Sequence, residues 1–156
     1  MDARLSMFGQ PAADKLVKHL VGASRTIAPA LPYTTLELIN LRASQINGCG
    51  FCTDMHIKDA IHAGESQQRL NMVAAWREAT CFTEAERAAL ELAEEGTRIA
   101  DAAGGVSDEV WENAAKHYTE EQLFALVAQI ALINTFNRLN VITRQPAGDY
   151  VAGQFN

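Results

Sequence analysis

Asn47, Gly48, Cys49, Gly50, Phe51, Cys52, Thr53, Asp54, Met55 and His56 form the one segment in which reactive side chains recur at helical spacing. Gly48 reads as the end of one helix and the CxxC as the start of the next. In that register Cys49 and Cys52 lie one turn apart at a helix N-terminus, where unpaired N–H groups and the helix dipole favour a thiolate. His56, four residues beyond Cys52, shares its helix face one turn further in. Two thiols with an imidazole beside them suit redox chemistry: one thiolate attacks, the other resolves the oxidised product as a disulfide, and the imidazole moves the protons. Other readings stay open. Zinc needs four ligands, or three and a water, and Cys49, Cys52 and His56 could supply three. Against zinc, the usual second pair of ligands is missing, since Cys81 is a lone cysteine and His62 lies on a different helix face from His56. The thiols could also be structural. A thioredoxin-like frame fails, because no βαβ pattern surrounds the motif.

The elements that must position these groups read almost throughout at helical period. Pro11 suits a first helical position, and the run after it places Leu16, Leu20 and Ala23 on one face; Pro29 and Pro32 then break the chain. Thr34 with Glu37 three residues on reads as a capping box opening a helix that carries Leu38, Ile39, Leu41 and Ile46 and stops near Gly48. The CxxC helix runs from about Gly50 to Ala63 and is closed by Gly64. Ser66 caps a third helix, containing Leu70, Val73 and Trp76. Thr83 and Glu86 box another, with Ala85, Ala88, Ala89, Leu92, Ala93 and Ile99 as its apolar stripe, ended at or before Gly104 and Gly105. Ser107 caps a short helix through Trp111 and Ala115, and Thr119 with Gln122 boxes a long apolar one from Glu120 to about Asn140. That last helix is apolar on too many sides for a surface helix and belongs at the centre or at a subunit interface. The tail beyond Pro146, with Gly148 and Gly153, fits either an irregular end or a short arm given to a neighbour.

Composition narrows the class. A chain of 156 residues, 48% hydrophobic and 21% charged, with no linker, repeat or low-complexity tract, reads as one domain over 1–156. Nineteen Asp and Glu against thirteen Lys and Arg leave a net charge of −6, and no basic cluster is present, which disfavours a nucleic-acid partner. The apolar stretch Leu123 to Ile133 is eleven residues long and contains Gln129. A bilayer needs roughly 20 residues, so no membrane span is expected. Asp2 and Arg4 are followed by no apolar signal region, and an odd number of cysteines, three, makes no disulfide framework. A cytoplasmic protein whose thiols are reactive, metal-binding or buried is expected.

The stretch from Glu37 through Arg42, Ser44, Asn47, Gly48, Cys49 and Cys52 to His56, with Ala63 and Gly64 after it, resembles the core of the carboxymuconolactone decarboxylase superfamily, and within it the AhpD-like alkylhydroperoxidase branch. The run from Ile130 to Asn140, carrying Asn134, Asn137 and Arg138, resembles that family's second signature, so the likeness spans about residues 30 to 142. The resemblance implies an all-α, AhpD-like helical bundle that assembles as a homo-oligomer, a trimer or hexamer. It implies an antioxidant peroxidase that reduces hydroperoxides with its CxxC, needs no metal, flavin or haem, and is recharged by a dithiol or lipoyl-type reductant protein. Carried onto this chain, Cys52 is the peroxidatic thiol, Cys49 the more exposed resolving thiol, and Glu37 and His56 the proton relay. AhpD itself has a histidine between its cysteines where this chain has Phe51, which removes one polar member of the relay. The decarboxylase branch generally lacks the cysteine pair, so Cys49 and Cys52 argue against lactone decarboxylation. The alternative is a helical module that senses redox state or binds a metal without peroxidase turnover.

Plainer roles stand beside these. Glu37 serves equally well as the capping-box partner of Thr34, and one carboxylate does one of these jobs at a time. Asn134, Asn137 and Arg138, polar on an apolar helix, read as a hydrogen-bonded network tying helices or subunits together. Cys81 reads as a small half-buried residue. His19, His62 and His117 read as surface or packing residues, Arg42 and Ser44 as ordinary polar contacts, and Trp76 and Trp111 as core or interface aromatics.

Overall fold

The computed structural model describes residues 2–155. Among them the chain is all-helical: α1 (Pro11–Ile27), α2 (Tyr33–Ile46), α3 (Gly50–His62), α4 (Gln67–Met72), α5 (Glu84–Thr97), α6 (Asp108–Ala115) and α7 (Glu120–Thr143), with short 3-10 turns after α1, α4 and α5.

Local chemistry sets most boundaries. Pro11 occupies the first turn of α1. The Ser66 and Ser107 hydroxyls accept the N–H groups of Arg69 and Val110, and Thr83–Glu86 and Thr119–Gln122 close reciprocal capping boxes. Gly48 ends α2 in the left-handed region at φ 66° and Gly64 ends α3 at φ 97°, conformations in which glycine carries no Cβ penalty.

Three expectations shift. The Thr34–Glu37 box does not form: α2 starts behind Pro32 with no side-chain cap, and Glu37 is buried inside the helix. On α1 the shielded face is Ala13, Val17, Leu20, Val21 and Ser24, while Leu16 is 47% exposed. The α4 helix stops at Met72, and Trp76 follows on a 3-10 turn with a kink at Ala75.

The helix buried on every side is α2, which packs against α3, α5 and α7. Leu36 and Ile39 join one core with Leu92, Ala93, Leu126 and Ile130, and Leu38 and Leu41 join the other with Ala60, Leu70, Trp76 and Leu90. Burial of some 1.5–3 kcal/mol per large apolar side chain thus holds both faces of α2 at once. The α7 helix buries Leu123, Leu126, Ile130 and Ile133 but leaves Phe124 69% and Ile142 66% exposed, so within one chain it lies at the flank. Its most apolar stretch has a mean hydropathy of 1.2 and it has the length of a membrane span. It is instead packed on α1, α2, α3, α5 and α6, and its buried face carries Gln129, Asn134 and Asn137.

Candidate active site

The α2–α3 turn delivers the cysteines. Asn47 caps the C-terminus of α2, Gly48 turns the chain, and the Cys49 N–H bonds the Ser44 carbonyl at 2.9 Å. Cys49 is then the N-cap of α3, its Sγ accepting the Cys52 N–H at 3.2 Å. Cys49 and Cys52 are joined as a disulfide with Cα atoms 5.4 Å apart. A zinc site made from Cys49, Cys52 and His56 would need both thiolates, which the disulfide consumes. Among the described residues, no group of three or more His, Cys, Asp or Glu is placed to hold a metal ion.

One turn into α3, His56 meets Glu37 from α2, Nδ1 to Oε2 at 2.9 Å, with both side chains about 9% exposed. With the carboxylate accepting, Nδ1 carries the proton of this bond, which leaves Nε2 as the ring's second position for proton exchange. That Nε2 is buried and has no hydrogen-bond partner among the described residues. The carboxylate that sequence pattern shared between cap and relay is committed to the histidine. Glu37 also borders a water-sized cavity of about 10 Å³ between Tyr33, Thr34, Ala60 and Glu65. Burial, and then the nearby Glu37, Asp59 and Tyr150, push the Tyr33 phenol above its ordinary range, so it stays a donor at this cavity.

Amides on α7 brace the motif from the opposite side. Asn47 Nδ2 donates to Asn134 Oδ1 at 3.0 Å and to Asn137 Oδ1 at 2.9 Å, and Asn137 Nδ2 donates to Ser44 Oγ at 3.0 Å. Asn134 Nδ2 reaches Thr97 Oγ1 at 3.1 Å, and Arg138 bonds back to Asn134. These residues form the expected network within one chain. Next in the row, Asn140 Nδ2 lies 3.3 Å from Cys52 Sγ, a contact no local pattern announces because its partner is 88 residues away.

The expected exposure of Cys49 is not found: both cysteines are 1% exposed. The tail folds back over α3 of its own chain, on the residues that flank the cysteines. Lys58 Nζ donates to Asp54 at 2.8 Å and to the Gly148 and Tyr150 carbonyls at 2.8 and 2.9 Å. The Tyr150 hydroxyl and the Gly153 N–H both donate to buried Asp59 at 2.9 Å. A Cβ on Gly50 would lie 3.6 Å from that of Ala147, and the Phe51 ring meets Tyr150 edge-on at 6.4 Å. Burial, followed by the Asp59 bond, pushes the Tyr150 phenol up to about 12, which keeps it a donor to the carboxylate.

The remaining candidates are placed as follows. Arg42 Nε bonds Glu94 Oε1 at 2.6 Å, and Trp76 Nε1 joins the same oxygen at 2.9 Å from the core. Trp111 is 43% exposed. Cys81 is a half-buried free thiol whose carbonyl accepts from Arg69.

Residues 11–95 match the Carboxymuconolactone decarboxylase family. The Bacillus subtilis (strain 168) protein YdfG, itself uncharacterised, is 45% identical over 108 residues, which is 69% of this chain and 72% of YdfG. Among solved structures, ATU0492 of Agrobacterium tumefaciens, a protein of unknown function proposed as an AhpD antioxidant defence protein, aligns with a TM-score of 0.87 at 35% identity, covering 96% of this chain and 100% of that one. The debrominase Bmp8 aligns with a TM-score of 0.76 over 87% of this chain and 73% of its own, but at 21% identity the likeness is one of fold alone. The chain belongs to the carboxymuconolactone decarboxylase family, in its AhpD-like branch.

Proposed function

We propose that the protein is a thiol-dependent hydroperoxide reductase. The observation that carries this reading is the buried Glu37–His56 pair one helical turn from the Cys49–Cys52 disulfide, with His56 Nε2 uncommitted. In the reduced protein the Cys52 thiolate attacks the terminal peroxide oxygen. The O–O bond breaks, the sulfur becomes a sulfenic acid, and the leaving alkoxide takes from His56 Nε2 the proton that the Cys52 thiol gave it on ionising, while Nδ1–H stays hydrogen-bonded to Glu37. Cys49 then displaces the sulfenic oxygen as water and the disulfide closes. A dithiol of lipoyl type supplies the two electrons and two protons that reopen it. Protons return to the pair through the water-sized cavity beside Glu37. No metal, flavin or haem takes part, and Phe51, packed on Tyr150, leaves a relay of two residues.

The proposal extends to assembly and setting. The exposed apolar residues of α7, Phe124, Val127, Val141 and Ile142, supply a surface on which copies of the chain would join as a trimer or hexamer. A reducing cytoplasm would keep the dithiol ready.

The variants Cys52→Ser and Cys49→Ser test the roles. With an organic hydroperoxide and dihydrolipoamide, Cys52→Ser should consume no peroxide. Cys49→Ser should consume one equivalent and halt at a sulfenic acid that dimedone traps. Equal residual turnover in both would overturn the assignment.

A further inference from the structure

The relay of Glu37 and His56 moves protons, but it does not explain which of two neighbouring sulfurs attacks. As N-cap of α3, Cys49 has a backbone donor, the Cys52 N–H. Cys52 sits inside the first turn of the same helix, and the side-chain donor its sulfur receives comes from another helix: Asn140 Nδ2 at 3.3 Å. The last turn of α7 fixes the backbone that carries that amide, since the Asn140 main-chain carbonyl accepts the Gln145 N–H at 2.9 Å where the helix closes. One and two steps of three residues earlier, Asn137 and Asn134 hold Asn47 and with it the turn that carries Cys49. One row of amides therefore sets both the turn and the second sulfur.

We propose that Asn140 is a catalytic residue whose side-chain N–H hydrogen-bonds the Cys52 sulfur, stabilises negative charge there, and so prepares Cys52 as the attacking thiol. A hydrogen bond to a charged acceptor is stronger than one to a neutral acceptor, so the amide favours the thiolate over the thiol. The word "attacking" rests on the hydroperoxide-reductase reading; the hydrogen bond to Cys52 does not. The titratable groups on the neighbouring elements are Cys49, bonded to this sulfur, and His56 on α3, Glu37 paired with His56 from α2, and Tyr150 of the tail, whose hydroxyl is committed to Asp59. On α7 the nearest charged side chain, Arg138, bonds back to Asn134.

The test uses reduced protein in a Cys49→Ser background, which removes the coupled titration of the pair. The pH dependence of iodoacetamide alkylation is followed at Cys52, with Cys81 as internal control. Asn140→Ala should move the Cys52 midpoint up by about one pH unit, a tenfold loss of thiolate below the midpoint. Asn140→Asp, of the same shape, should move it further, because a carboxylate then faces the sulfur, and it decides the matter if the alanine variant does not fold. A Cys52 midpoint unmoved in both, or an equal shift at Cys81, would overturn the proposal. Alkylation requires no peroxide, so a shifted midpoint in a protein that consumes no hydroperoxide would retain the Asn140–Cys52 bond and sink the reductase reading alone.

Discussion

Replacing Glu37 by Gln separates the two jobs its position allows. The substitution keeps the shape and one acceptor oxygen for His56 Nδ1, now 2.9 Å from Oε2, but removes the charge. Exchanging a charge-assisted hydrogen bond for a neutral one costs about 1 kcal/mol of stability. The chemical cost is larger, because positioned acid–base catalysis contributes about 10²- to 10⁴-fold and the amide cannot balance a charged imidazole. Since the amide oxygen would still orient the ring, the low end is expected, a loss of about 100-fold in the single-turnover rate of peroxide reduction. The companion variant is Thr34→Ala. A working cap would cost about 0.5–2 kcal/mol, but Thr34 caps nothing, so a change under about 0.5 kcal/mol is expected. Stopped-flow peroxide consumption by pre-reduced protein and urea melts read both quantities. A Glu37→Gln rate within about threefold of the parent would refute the relay. A Thr34→Ala loss above about 1 kcal/mol would restore the cap.

Three further perturbations follow from the same geometry. Glu94 is buried, which by itself raises its carboxyl; the bonds from Arg77 and Trp76 and the charge of Arg42 outweigh this and hold it below its ordinary value of 4.5. Glu94→Gln should cost about 3 kcal/mol at neutral pH. Because the folded value is depressed, that stabilisation is complete above the ordinary carboxyl range and fades as pH falls through the folded value, so melts at pH 7 and about pH 3 should show the gap narrowing, and an undiminished gap would count against the ion cluster. Gly48→Ala should cost about 1 kcal/mol in a urea melt and Gly48→Asn less, because the space around the Cβ is open and only the left-handed backbone objects; equal costs would implicate sterics instead. Tyr150→Ala, which removes the tail's anchor to Asp59 and its contact with Phe51, should speed reduction of the disulfide by a soluble phosphine severalfold, whereas an unchanged rate would show that the tail does not cover the sulfurs.

Legibility in the sequence tracks the range of the interactions. The caps at Ser66, Thr83, Ser107 and Thr119 are readable because donor and acceptor lie three residues apart, and the CxxC with His56 is readable for the same reason. Thr34 and Glu37 fit the identical pattern and yet form no box, since a histidine 19 residues away holds the carboxylate. Spacing could place Glu37 and His56 on separate helices but could not pair them; the family resemblance did. The return of the tail onto α3 is illegible because its contacts, Tyr150 to Asp59 and Gly148 to Asp54, span more than 90 residues. The contact of Asn140 with Cys52, 88 residues away, is illegible for the same cause. The wide apolarity of α7 was legible, but its inner half serves the core and its outer half is exposed, a division that periodicity alone does not assign.

The central claim is that Cys49 and Cys52 form a peroxide-reactive dithiol. Fully reduced protein is treated with one equivalent of an organic hydroperoxide, alkylated, and weighed intact, with peptides mapped afterwards. The account predicts the loss of two alkylatable thiols, mapped to a Cys49–Cys52 disulfide, while Cys81 remains alkylatable. Unchanged thiols at both positions would contradict it.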